Sequence, residues 1–341
     1  MYNEFYGLSA APFQLTPDPR FFFESSVHRK AMAHLFFGLE QREGFIVITG
    51  EIGAGKTTIL GHLLDTLDAD EYVAAKIVSP HLGADDMLRA VAGAFNLQFA
   101  NLDKASLLRR IEGFLVENHR RGKRTLLLVD EAQNVPPPAL EELRMLSNFQ
   151  VGSKVPLQSF LLAQPQFRRT LASADLEQFR QRIIASYHLG PMGAAETSEY
   201  VQHRLSVVGW KSNPQFTEEA LADIFLHTGG VPRKINTLCS RIMLFCFLDE
   251  LHRVDRDVVK SVADDLARET NQVVDVSDGR GGGVMLGVQK AEESEVASAG
   301  MGARLEKLEK TVVRHGRALR YFSSVIEKNL LEGTAGDSES E

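Results

Sequence analysis

The chain has 341 residues, 44% hydrophobic and 24% charged, an ordinary globular composition with length for about two domains. Its net charge of −7 speaks against nucleic acid as the main partner, which usually meets a basic face. No window reaches the ~18 apolar residues of a membrane helix, and the N-terminus lacks the basic-then-apolar pattern of a signal peptide. Cys239 and Cys246 share a helix face, which predicts buried thiols in a reducing cytoplasm, not a disulfide or metal site.

Along the chain, Pro12, Pro17 and Pro19 predict a loop-rich stretch to about Ser26. A helix over 27–41, a strand over 45–49 and a glycine loop opening a helix to Leu67 come next. Strand 73–79, helices 85–95 and 104–120, strand 125–130, helix 138–149, and strands 155–163 and 184–189 follow. Unbroken apolar runs such as FIVI (45–48) and LLLV (126–129) suit parallel strands covered on both faces. The alternation predicts an α/β domain with a five-stranded parallel sheet flanked by helices.

From Gly193 the period is helical, with segments 194–208, 217–228, 232–251 and 255–268, and with Thr217 and Asp255 as caps. The predicted organisation is a nucleotide-binding domain over 1–192 and a small all-helical lid over 193–269. A Gly/Ser-rich linker over 270–303, an amphipathic helix over 304–331 and an acidic tail over 332–341 complete it.

GEIGAGKT (50–57) satisfies G-x-x-x-x-G-K-[ST] between a strand and a helix, the context that phosphate binding requires. Gly50, Gly53 and Gly55, with Glu51, Ile52 and Ala54 between them, would point successive N–H groups at phosphate oxygens. Lys56 would reach the β- and γ-phosphates of ATP, Thr57 would ligate Mg²⁺, and Thr58 would offer its N–H to the α-phosphate. In TLLLVDEAQ an apolar strand delivers Asp130 and Glu131 to the sheet's C-terminal edge, where α/β proteins bind ligands. Asp130 is the expected Mg²⁺ anchor, and Glu131 the carboxylate that polarises the attacking water. DEAQ also occurs in helicases, but those need two such domains.

Three further residues are candidates. Gln164 ends a sheet strand, placed to sense the γ-phosphate or simply to form a turn. Arg182, preferred over Arg180, precedes the last strand, as a finger into a neighbouring subunit's site or as a solvated arginine. Arg233, just after Gly229, Gly230 and Pro232, opens a lid helix from which it could swing onto ATP or simply remain a surface arginine.

Together the phosphate loop, DE, Gln-Pro, QRI and GGVPRKIN resemble the AAA+ ATPases of the general secretion pathway protein A type over about residues 2–268. More narrowly, FYGLS, FFF, EGFIVITGE and AAKIVS look like the ATPase associated with exosortase-A (PEP-CTERM) systems. The resemblance carries the roles above onto Lys56, Thr57, Asp130, Glu131, Gln164, Arg182 and Arg233. It also suggests Phe13 and Pro19 as walls of the adenine pocket. Ala163 stands where relatives commonly have glycine, a small residue kept small. Secretion relatives continue into a membrane span and a wall-binding region, and direct peptidoglycan binding is not expected of this sequence.

Leu305, Leu308, Val312, His315, Leu319, Phe322, Ile326 and Asn329 follow heptad spacing, and the segment from Arg304 to Lys328 carries seven bases and three acids, 7 − 3 = +4. A coiled coil, a helix on an anionic membrane and a helix docked on its own domain all fit this pattern. The reading is a cytoplasmic, oligomeric Mg–ATP hydrolase that drives or licenses an envelope secretion or exopolysaccharide machine. Its partner would be a protein of that system, and peripheral attachment to the inner membrane is compatible with it. The alternatives are a DNA-directed regulator of the transposition-ATPase type and a scaffold that binds ATP without hydrolysing it.

Overall fold

A computed structural model describes residues 2–16, 18–78 and 83–277, and of 84, 85 and 270–277 the backbone alone. The predicted C-terminal helix and acidic tail, and the linker beyond Ser277, lie outside the described residues. The chain falls into two compact units. One holds residues 12–208 and 224–237, the other 2–11, 209–223 and 238–277.

In the first unit, α2 (Ser26–Gln41), β1 (Phe45–Gly50) and α3 (Lys56–Thr66) come first, then β2 (Tyr72–Val78), α4 (Ala84–Ala94), α5 (Lys104–Arg120) and β3 (Arg124–Asp130). They are followed by α6 (Pro137–Ser147), β4 (Leu157–Ala163), α7 (Phe167–Leu171), α8 (Glu177–Arg180), β5 (Ile183–Leu189) and α9 (Ala194–Val207). The five strands form one parallel sheet in the order β2-β3-β4-β1-β5. Successive side chains serve opposite faces. Phe45, Val47, Leu127 and Val129 pack against α4, α5 and α6, whereas Ile46, Ile48, Leu126 and Leu128 pack against α2 and α3. Each such side chain contributes about 1.5–3 kcal/mol when taken out of water, so runs apolar at every position are what this double covering demands.

The register brings the C-terminal ends of the strands to one edge. Gly50 pairs with Leu189, Thr49 with Ala163, and Val78 with Asp130. The opposite edge holds the strand starts, where Phe45 pairs with Ile183.

The second unit contains α1 (Tyr2–Tyr6) and, in two-residue parallel pairing, β6 (Gln215–Phe216) with β7 (Arg253–Val254). It also holds α12 (Arg256–Ser277), the beginning of α10 (Glu218–Thr228) and most of α11 (Pro232–Leu248). Tyr6 Oη donates to the Leu251 carbonyl at 2.8 Å, and Phe5 stacks on His252. Cys239 and Cys246 are buried, neither forms a disulfide, and burial pushes the Cys246 thiol up to about 12. That thiol is inert packing.

The helix α1 lies where a loop is expected from sequence. It ends before Pro12, so the prolines do not touch it. The short helices α7 and α8 are too brief to show a period, and α12 runs past Arg268 into the predicted linker. The part read as all-helical also carries the small β6–β7 pair. Among the described residues no helix is long and apolar enough to cross a membrane.

Candidate active site

The loop between β1 and α3 is shaped by three close approaches. Gly53 and Gly55 have φ of +81° and +96°, which residues with a Cβ rarely adopt. A Cβ on Gly53 would lie 2.3 Å from Arg233 Cβ, and one on Gly55 would lie 2.8 Å from His28 Nε2. A Cβ on Gly50 would meet the Leu189 carbonyl at 2.8 Å, so β1 and β5 can meet this closely only over a glycine. Helix α3 starts at Lys56 with no side-chain cap, leaving its first N–H groups to whatever the loop holds. Ala54 is buried, while Glu51, Ile52 and Thr57 are exposed and Thr58 is half-buried.

Lys56 is buried, and its Nζ donates to the carbonyls of Gly50 at 2.7 Å and Glu51 at 3.0 Å. Burial pulls its pKa down, against Glu131, Asp130 and Glu51, which favour the charged form. Thr57 Oγ1 donates to Asp130 Oδ2 at 3.1 Å, and Lys76 Nζ from β2 lies 3.0 Å from the same oxygen. The other carboxylate oxygen of Asp130 accepts the Glu131 N–H at 3.0 Å.

Glu131 adopts a left-handed backbone, φ +55°, as the chain leaves β3. Its carboxylate accepts from the Gln133 side-chain amide and, at 3.2 Å, from Gln164 Nε2. Gln133 also accepts the Gln164 N–H at 2.9 Å. Gln164 thus belongs to a polar cluster that spans the ends of β3 and β4.

Arg233 joins the loop through its backbone, donating its N–H to the Gly53 carbonyl at 3.2 Å, and its side chain lines the cleft. Just before it, Gly230 sits where a Cβ would be 2.0 Å from the Met192 carbonyl oxygen, so a close backbone approach requires glycine there, whereas a Cβ on Gly229 would meet open space. Arg182 is at the other edge of the sheet. Its carbonyl accepts the Phe45 N–H at 2.8 Å, at the start of β1 and a strand's length from Gly50. Arg180 is engaged locally, donating to the carbonyls of Leu171 and Ser173 at 2.6 and 2.7 Å.

The cleft over the loop measures about 330 Å³. Its far wall is the N-terminal segment, through Gln14, Leu15 and the aromatic run Phe21–Phe23. Phe13 is wholly buried, and neither it nor Pro19 lines the cleft. Arg204, Tyr200 and Asn236 line the cleft beside this wall, and buried Arg204 donates to the Pro12 carbonyl at 2.6 Å and to Tyr200 Oη at 2.8 Å, while Tyr200 donates to Asn236 Oδ1 at 3.0 Å.

His28, Lys76, Gln133 and this Arg204 network escape sequence reasoning. The signal for Lys76 is a lone charge in an otherwise apolar strand, and that for Gln133 is its place in DEAQ. His28 has none, since it meets the loop from a helix far back in the chain. Its Nδ1 lies 2.6 Å from Ser25 Oγ, and the ring bonds the Ala54 backbone.

Residues 39–171 match the AAA domain family. With the strand order above, this is a P-loop AAA+ fold, joined to a largely helical C-terminal part. The same fold is seen in the ORC2 protein of Aeropyrum pernix in its ADP form, with TM-score 0.57 and 14% identity over 74% of this chain and 71% of that one. Cdc6p of Pyrobaculum aerophilum matches with TM-score 0.57 and 14% identity, over 74% and 70%. In sequence, the chain is 39% identical over 258 residues to general secretion pathway protein A of Aeromonas hydrophila, which covers 74% of this chain and 46% of that protein. The chain thus spans less than half the length of this relative.

Proposed function

We propose that this chain is an Mg–ATP hydrolase of the general secretion pathway protein A type, working as a cytoplasmic oligomer that drives or licenses an envelope machine of the exosortase and exopolysaccharide kind. The observation that carries the chemistry is the convergence of Lys56, Thr57, Asp130, Glu131 and Gln164 at one sheet edge beside a glycine loop. Mg²⁺ fits the donors present, because the Thr57 hydroxyl and the buried Asp130 carboxylate are hard oxygen ligands held 3.1 Å apart. When bound, the ion would offset phosphate charge. The chain's own residues orient and polarise. Lys56 pairs with the phosphates, the loop N–H groups hold them, Glu131 takes a hydrogen bond from the attacking water, and Gln164 fixes the Glu131 carboxylate.

Arg182 supports the oligomeric part of the reading. It is a strand's length from its own loop, which supports reading it as a residue that acts on a neighbour's nucleotide. Arg233 approaches ATP from the first turn of α11. The similarity to general secretion pathway protein A supports a role in secretion, and the exosortase assignment rests on the N-terminal motifs. A DNA-directed regulator would need a basic face, which the net charge of −7 does not favour.

The deciding experiment measures ATP affinity and turnover for wild type, Lys56→Ala and Glu131→Gln. Loss of affinity in the first with retained affinity but lost turnover in the second supports hydrolysis at this site. Equal loss of binding in both would refute these roles. Co-purification with Glu131→Gln then identifies the partner.

A further inference from the structure

The buried carboxylate of Asp130 divides its partners unevenly between its two oxygens. Oδ1 accepts the Glu131 N–H at 3.0 Å, while Oδ2 meets both the Thr57 hydroxyl at 3.1 Å and the Lys76 ammonium at 3.0 Å. Lys56 does not serve as its ion-pair partner, because the Lys56 Nζ is spent on the carbonyls of Gly50 and Glu51. Among the described residues Asp130 pairs with Lys76 alone. A charge-assisted bond of this length holds the carboxylate more firmly than a neutral one would.

Lys76 comes to this oxygen from β2, an edge strand of the sheet, where it pairs with Leu128 two residues before the pairing of Val78 with Asp130. Alternation along the strand sends Ala75 and Ile77 into the core and leaves Ala74, Lys76 and Val78 on the opposite face. Ala74 and Val78 are exposed there, so that face of β2 is open to water beside Lys76. A lysine on an edge strand ordinarily holds its charge in water and blocks pairing with another chain. This one turns its ammonium onto a carboxylate that is only 6% exposed, while its own side chain stays 32% exposed. The long stem gives Lys76 a path to solvent that keeps its charge hydrated, and buried Asp130 has no such path.

We propose that Lys76 is a built-in competitor of Mg²⁺ at Asp130, which weakens the hold of the site on the ion and supports nucleotide binding when the ion is scarce. The inference rests on the reading of Thr57 and Asp130 as the Mg²⁺ anchor. Two cations at one carboxylate oxygen repel, so an ammonium on Oδ2 lowers the affinity of that oxygen for a second cation. The same ammonium offsets the charge of Asp130, which otherwise repels the phosphates of a metal-free nucleotide. Lys76 is thus a positioning residue that acts through Asp130, and its removal makes nucleotide binding depend more strongly on Mg²⁺. A lysine that merely held Asp130 in place would have the opposite sign, since its loss would loosen the anchor.

The test uses the full chain and the fluorescent nucleotide mant-ADP, whose Kd is measured by titration in EDTA and in excess Mg²⁺. The ratio of the first Kd to the second reads the coupling between nucleotide and ion. Lys76→Gln raises this ratio about fivefold or more. Lys76→Arg, which keeps the charge, leaves it within about twofold of wild type. Lys154→Gln, which removes the same charge from an exposed position before β4, also leaves it within about twofold. Asp130→Asn lowers it. An Asp130→Asn ratio equal to that of wild type would refute the anchor reading, and the proposal with it. A lowered ratio in Asp130→Asn, beside one in Lys76→Gln that is within about twofold of wild type or below it, would overturn the proposal alone. Equal rises in Lys76→Gln and in either Lys76→Arg or Lys154→Gln would overturn it as well, because the charge on Oδ2 would not be the cause.

Discussion

Gln164 Nε2 donates to the Glu131 carboxylate at 3.2 Å, across the gap between the ends of β4 and β3. The bond ties the residue expected to sense the γ-phosphate to the residue expected to polarise water. Moving either moves the other. In Gln164→Ala, Glu131 keeps only its Gln133 contact and loses orientation, so kcat should fall about tenfold while KM for ATP stays within about threefold. Steady-state kinetics check this. A matching rise in KM with kcat unchanged would make Gln164 a binding residue instead.

Lys56 and Glu131 should separate binding from chemistry. Removing a charge-assisted contact to phosphate costs about 1.5–3 kcal/mol, so Lys56→Ala should weaken ATP binding about 10- to 100-fold. Glu131→Gln keeps the shape of the site and should bind ATP within about threefold of wild type, with turnover down about tenfold or more. Isothermal titration and a phosphate-release assay give the two readings.

A substitution pair tests the shape of the phosphate loop. Gly55→Ala forces a Cβ into a φ of +96° and to 2.8 Å from His28 Nε2, which should cost about 1–3 kcal/mol and disrupt nucleotide binding. Gly61, in the middle of α3, has nothing within 4 Å of its Cβ position. Gly61→Ala should therefore stabilise the fold by about 0.5–1 kcal/mol. Urea denaturation of both variants reads the two signs.

His28 makes stability depend on pH. Burial holds its pKa at about 4 against an ordinary 6.5, with Glu196 and the Ala54 backbone working the other way. The unfolded chain takes up a proton between these values that the folded chain refuses. Stability is therefore full above pH 6.5 and falls as the pH drops toward 4. The single-site contribution is up to about 3 kcal/mol. His28→Asn should show a shallower loss over the same window in chemical denaturation. An unchanged slope would assign the acid sensitivity to other groups.

Arg182 should act between subunits. Inactive Arg182→Ala mixed with inactive Glu131→Gln should recover part of the activity, since hybrid interfaces join an intact arginine to an intact carboxylate. No recovery, in subunits shown to exchange, would leave Arg182 a structural residue at the start of β5.

Sequence and structure agree where the determinants are contiguous. The candidate residues of GEIGAGKT and LLLVDE stand out because strand, turn and side chain follow one another within a few positions. The apolar runs of β1 and β3 announce double burial. The sheet order is less visible, because insertion of β4 between β3 and β1 depends on pairing between distant segments, such as Phe45 with Ser159. The support for the site is hidden for the same reason. His28 reaches Gly55 from α2, Lys76 reaches Asp130 from the neighbouring strand, and Arg204 reaches the Pro12 carbonyl from 192 positions away. Nothing in the local pattern of these residues marks the partner they meet. The helix α1 escapes because proline signals further on suggest a loop for the whole segment.

The left-handed backbone of Glu131 carries a consequence for how this chain can change. Glycine or asparagine would occupy that conformation with less strain, by about 1 kcal/mol, yet neither has a carboxylate. Selection for a sturdier fold and selection for turnover therefore pull position 131 in opposite directions. On the proposed hydrolytic role, replacing this glutamate by asparagine would raise stability and lose turnover together.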